Sequence, residues 1–176
     1  MKSISITGKR NTDKINSLEN PDMICKRNSM KKLSKDLITF YEDHDEQVSL
    51  VNKLYMNVRP LENCEIFIKE IEKKISGYKQ QDILKDILVP EKLIRFPEIV
   101  DAFIQHEFKC YYCKANMYIL YDMVRETQQW TVDRIDNDLG HNRDNFILAC
   151  LGCNLKRRCR TKDKFLFTKQ LVIVKK

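Results

Sequence analysis

At 176 residues the chain suits one modest domain, or a small domain with attached helical and irregular parts. Lys and Arg total 32 against 25 Asp and Glu, a formal charge of +7. That excess suits a polyanionic partner, because cations displace counterions from phosphate, but it equally fits a soluble Lys-rich protein with no such partner. No apolar run reaches the length of a membrane span, and the first ten residues lack the apolar stretch of a secretory signal. The expected setting is an intracellular, reducing one, cytoplasm or nucleus, with no membrane partner.

Residues 1–30 are polar, with scattered Lys, Asn and Ser and no hydrophobic period. They read as a mobile basic arm or an ordinary frayed terminus. A helical region follows over 31–106. Leu33, Leu37 and Phe40 recur at helical spacing, then Val48, Val51, Leu54 and Tyr55, then Ile66, Ile68, Ile71 and Ile75. Gly77 is expected to stop that last helix. A short helix is expected over Gln81–Leu88 and another over Pro97–His106, with Ile99, Phe103 and Ile104 inward. Pro60, Pro90 and Pro97 punctuate these pieces. The acidic stretch around His44, with Glu42, Asp43, Asp45 and Glu46, has no ligand spacing and is expected to be a solvated face.

Seven cysteines in a reducing compartment read as metal ligands rather than disulfides. Four of them form two CxxC pairs, Cys110 with Cys113 and Cys150 with Cys153, separated by 36 residues. Two residues between cysteines let one tight turn aim both sulfurs at one ion. Two such knuckles complete a tetrahedral thiolate site for Zn²⁺, with Zn–S of about 2.3 Å. Four protein ligands leave no open position, so this zinc is structural. Cys159 is expected on the helix after Cys153 and is not needed as a ligand. His106, four residues before Cys110, is expected to pack at the end of its helix.

Between the knuckles, Trp130-Thr-Val and Phe146-Ile-Leu have strand preference, and the stretch separating them is dense in Asp, Asn and Gly. The run after Cys150 reads as a helix start. The expected class is therefore α+β: a helical N-terminal region, then a strand–loop–strand–helix zinc module over 107–162. The segment 163–176 is expected to pack back as a helix or strand, or to form a homodimer contact.

This module resembles the HNH, or ββα-metal, nuclease family. The resemblance covers Cys110 to about Arg158 and rests on Cys110, Cys113, Val132-Asp133-Arg134-Ile135, Gly140, Asn145, Cys150, Cys153-Asn154 and Lys156. It is closest to the zinc-containing subgroup that includes phage Holliday-junction-resolving endonucleases. The resemblance implies that Asp133 and Asn154 bind a catalytic Mg²⁺ or Mn²⁺, and that Asn145 braces the loop. It also implies that the four cysteines hold structural zinc. Lys156, Arg157, Arg158 and Arg160 are expected to contact the DNA backbone.

One departure matters. The family's general-base His is replaced by Arg134, and a guanidinium has no lone pair to accept a proton. Arg134 can hold a phosphate or stabilise charge. His141 is a candidate replacement base, or mere loop structure. Asp136 is a candidate for orienting water or for an extra metal ligand, or a turn cap. The third alternative is a metal-bound hydroxide with no dedicated protein base. The reading is a metal-dependent DNA endonuclease. Its alternative is a non-catalytic, zinc-ribbon-like nucleic-acid-binding protein on an HNH scaffold.

Overall fold

The computed structural model describes residues 43–58 and 64–171. The expected basic arm, Leu33, Leu37, Phe40, Pro60 and the apolar Val172, Ile173 and Val174 lie outside them. Among the described residues five helices and one two-stranded sheet follow in the order α1 His44–Tyr55, α2 Cys64–Leu84, α3 Phe96–Gln105, β1 Trp130–Arg134, β2 Phe146–Cys150, α4 Leu151–Arg157 and α5 Lys162–Gln170. None of the helices is long and apolar enough to cross a membrane.

Helix α1 starts where the Asp43 carboxylate accepts from the backbone N–H of Asp45 and Glu46. Its apolar stripe carries a polar residue inward. Gln47 is fully buried. Its side-chain oxygen accepts from the N–H of Ile119 and Leu120, and its amide donates to the Leu120 carbonyl. One glutamine thereby satisfies three backbone groups that burial would otherwise leave unpaired. The acidic neighbours Asp43, Asp45 and Glu46 are exposed, as expected. His44 is not: its side chain is 14% exposed and lies edge-on to Phe108 and Tyr118.

Helix α2 corrects two expectations. It does not stop at Gly77, and no separate helix covers Gln81–Leu88; one helix runs to Leu84. Gly77 faces open space, and a mid-helix glycine costs only about 1 kcal/mol. Packing along the helix outweighs that, since Phe67 and Ile71 are fully buried. Helix α3 begins with Pro97 in its first turn, where a missing N–H is harmless, and with the Arg95 N–H donating to Glu98 Oε2 at 3.0 Å. His106 caps its C-terminus, and Ile99 and Phe103 are fully buried.

The two strands pair antiparallel, with Trp130 opposite Cys150 and Arg134 opposite Phe146. Alternation sends Trp130 and Val132 to one face and Thr131 and Asp133 to the other. On the first face, the Trp130 ring meets Phe103 of α3 at 5.4 Å. Lys74 of α2 donates to the Trp130 carbonyl and sits over its ring. The second face receives α4. The buried residues of α1, α2, α3, the sheet and α5 form one hydrophobic cluster, so the helical region and the cysteine module share a core.

Helix α4 ends at Arg157, so Cys159 is not on it, contrary to expectation. Arg158 follows with φ 53° and ψ −122°. The C-terminal segment forms helix α5, capped by Thr161 Oγ1 accepting from the Lys164 N–H, and it buries Phe165.

Candidate functional site

The cysteine cluster forms where two turns meet. Cys110 and Cys113 lie in the loop after α3. Cys150 ends β2 and Cys153 sits in the first turn of α4. The Lys114 N–H donates to the Cys110 carbonyl, closing the first turn, and Lys114 takes φ 60°. The Tyr111 N–H donates to the Leu148 carbonyl, which docks this turn on β2. The four sulfurs lie within 4.8 Å of one another. Cys113 and Cys150 are 3.8 Å apart. A tetrahedron with metal–sulfur bonds of about 2.3 Å has edges of about 3.8 Å. The donor set is sulfur only, with Cys110, Cys150 and Cys153 buried and Cys113 exposed.

This arrangement can hold a metal ion and is compatible with structural Zn²⁺. The neighbouring Cys150 thiol holds Cys110 down to about 4, against burial and with help from the backbone N–H groups of Cys113, Cys150 and Tyr112. Cys150 is pushed up in return, and burial pushes Cys153 up to about 12. A thiolate-binding ion displaces the remaining protons, which makes its binding pH-dependent. Cys64 and Cys159 are free and stand outside the cluster.

Asp133 lies under α4, 5% exposed. Both of its oxygens are engaged. Oδ2 accepts from the Tyr112 hydroxyl at 2.7 Å, and Oδ1 accepts from Arg157 Nη1 at 2.6 Å. Burial pushes its carboxyl up from the usual range, while the Tyr112 hydroxyl and Arg157 pull it back. Asn154 is anchored one residue along the strand. Its Nδ2 donates to Thr131 Oγ1 at 3.0 Å and to the Val132 carbonyl at 3.2 Å. That fixes which end of the amide is which, because a backbone carbonyl can only accept. The Asn154 carbonyl oxygen is the end left over.

Arg157 corrects the sequence reading. It was expected on the DNA backbone, but it is 1% exposed. Its guanidinium donates to Asp133 Oδ1, to the carbonyls of Arg134 and Ile135, and at 3.4 Å to Asn137 Oδ1. It sits one helical turn past Cys153, so the turn that supplies a sulfur also turns this cation inward. Lys156, Arg158 and Arg160 remain exposed.

The loop between the strands uses the other candidates. Asn145 Oδ1 accepts from the Asp136 N–H, and its Nδ2 donates to the carbonyls of Asp136 and Gly140. Asp136 is exposed and its Oδ1 accepts from the Asp138 N–H, the geometry of a turn cap. Arg134 donates to the carbonyls of Asn137 and Leu139.

His141 is buried and paired with a residue the sequence did not suggest. Its Nδ1 lies 2.7 Å from Asp82 Oδ1, its backbone N–H donates to Asp82 Oδ2 at 2.6 Å, and its ring stacks on Tyr78. Burial lowers the His141 pKa, against the raising effect of Asp82. A Cβ at Gly140 would lie 2.9 Å from Asp82 Oδ2 and 2.8 Å from the Ile87 carbonyl, so only glycine admits this approach.

Asp82, Gln47, Tyr112 and the buried role of Arg157 were not foreseen. A signal existed for three. Asp82 continues the stripe of Ile71, Ile75 and Tyr78, Gln47 continues that of Leu50, Val51 and Leu54, and Arg157 shares a face with Cys153. A polar residue on an apolar stripe announces a buried polar contact. No family model, curated protein or solved structure matches the chain.

Proposed function

We propose that this chain is an HNH-type, metal-dependent endonuclease acting on the phosphodiester backbone of DNA. The observation that carries the reading is the anchoring of Asn154, in the first turn of α4, to Thr131 and Val132 of β1, the residues preceding Asp133, which leaves its amide carbonyl oxygen as a metal donor. A carboxylate and an amide oxygen are hard donors of the kind Mg²⁺ or Mn²⁺ takes. When bound, such an ion polarises a phosphate and stabilises the leaving oxygen. The Arg157 guanidinium already rests on Asp133 Oδ1, so positive charge is held at this carboxylate from inside the protein. A divalent ion and Arg157 compete for that oxygen.

The chain's own residues do the positioning. Tyr112 holds Asp133 Oδ2, and burial pushes its hydroxyl further toward the protonated, donating form. Asn145 and Arg134 hold the loop that borders the site. His141 is oriented by Asp82 as an imidazole base is oriented by a carboxylate, but it is only 4% exposed and serves the loop as it stands.

The second reading, DNA binding without cleavage, is favoured by the same Arg157–Asp133 pair, which neutralises the carboxylate from inside the protein. Plasmid nicking with Mg²⁺ or Mn²⁺ separates the two. On the endonuclease reading the wild type nicks, and Asn154→Ala loses nicking while keeping its zinc and a cooperative melt. Retarded but uncut DNA in both metals, on supercoiled, linear and branched substrates, would establish the binding reading instead.

A further inference from the structure

We propose that the groove between α4 and α5 is a binding track for the DNA phosphate backbone, so that α5, which lies outside the HNH-like segment, is part of the nucleic-acid surface. This rests on the proposed action on DNA. The groove has a volume of about 780 Å³, and its walls include Lys156, Arg158, Arg160 and Lys169. No carboxylate lines it, and among the described residues none of these four cations forms a salt bridge. Four like charges facing one concavity repel each other, and the arrangement gains most when an anion enters.

Two of the cations are held in place by the protein. Arg160 donates from Nη2 to the Lys156 carbonyl at 2.5 Å and lies over the Phe165 ring at 4.9 Å. Lys169 approaches the same ring at 5.6 Å. Phe165, buried at 2% exposure, thus meets one cation from the turn between α4 and α5 and one from α5 itself. The aromatic ring offsets part of their charge and leaves their outer faces to a ligand.

Arg158 adds an independent sign. It holds φ 53° and ψ −122° at the end of α4, a conformation that suits glycine, yet the position carries a large cation that lines the groove. Phosphate is the anion that matches: a guanidinium fork binds its oxygens in pairs, and a polymer of phosphates can engage several cations along one groove.

The test compares two triple variants of the full chain for binding to a short DNA duplex across a salt series. The first, Lys156→Gln with Arg158→Gly and Lys169→Gln, removes groove cations that donate no side-chain hydrogen bond to the fold, and Arg158→Gly relieves the strain. The second, Lys69→Gln with Lys73→Gln and Lys79→Gln, removes the same charge from the exposed side of α2. Each lost phosphate contact should reduce the slope of log affinity against log salt by about 0.9, so the groove variant should lose about three and the α2 variant close to none. Equal losses in both, or none in the groove variant, would overturn the groove while leaving DNA binding intact. Wild-type binding to polyglutamate as tight as to DNA would overturn it in favour of a general polyanion surface. No wild-type binding to DNA would overturn both this inference and the function it rests on.

Discussion

The β1–β2 hairpin is pinned at both ends, by different chemistry. At its open end, Cys150 joins Cys153 and the loop cysteines Cys110 and Cys113 in a sulfur cluster. At its loop end, Gly140 and His141 are held by Asp82, which reaches in from α2. The first pin recurs as a spaced motif, because a metal dictates the distance between its ligands. The second has no motif, because a carboxylate and an imidazole can meet from any two points of a chain, here 59 residues apart. Between the pins, Arg157 and Asp133 tie α4 to β1. The strength of each tie should follow how much buried, otherwise uncompensated charge it holds.

The sulfur pin should be the largest contributor. Structural zinc in small peptides contributes on the order of 10 kcal/mol, comparable with the whole stability of a domain. Purified protein should hold one zinc per chain. Chelation or Cys150→Ser should abolish the cooperative melt seen by circular dichroism, and because the core is shared the helices should melt with the hairpin. A folded, metal-free protein would reduce the cysteines to packing and leave the Arg157–Asp133 pair as the principal tie.

Arg157 should come next. Replacing it by Met leaves Asp133 buried without its cation, and breaking a buried pair in this way costs about 3–5 kcal/mol. The melting temperature should fall accordingly, and Mn²⁺ should recover part of the loss by taking the vacated place on Asp133. Stabilisation by Mn²⁺ that is larger in Arg157→Met than in wild type would support competition for one oxygen. Equal response in both would show that the ion does not compete with Arg157.

The Asp82 pin should give the smallest effect, and one that depends on pH. Asp82→Asn keeps the shape but weakens two buried hydrogen bonds, at about 2 kcal/mol. Because burial lowers the His141 pKa in the folded state, the unfolded chain binds its proton more readily. Stability from this group is therefore complete above about pH 6.5, the unfolded value, and is lost as pH falls through the lower folded value. Melting temperature should drop between pH 7.5 and 5.5. Acid also competes with zinc for the thiolates, so zinc content must be followed in parallel. The part that vanishes in His141→Gln at constant zinc belongs to this pin, and an unchanged profile in that variant would assign all of the pH dependence to the cysteines.

Much of the architecture was legible because it is periodic or spaced. The apolar stripes of α1 and α3, the two short strands, the helix after Cys150 and the four cysteines are each encoded within a few residues. Gly77 misled because a local helix-breaking preference of about 1 kcal/mol is small beside the burial of Phe67 and Ile71 along the same helix. Arg157 misled because it lies in a run of basic residues, where composition suggests solvent, and only its spacing from Cys153 turns it inward.

The sequence by itself determined the four-cysteine cluster, since two CxxC pairs have the type and spacing that a metal ion suits, and it located the strand, loop and helix around that cluster. Tertiary structure alone decided what each charge does there. It placed Arg157 on Asp133, gave His141 to Asp82, and left Lys156, Arg158, Arg160 and Lys169 facing an open groove. The physical reason is that a charge takes its role from its burial and its partners, and both are set by residues far away in the chain.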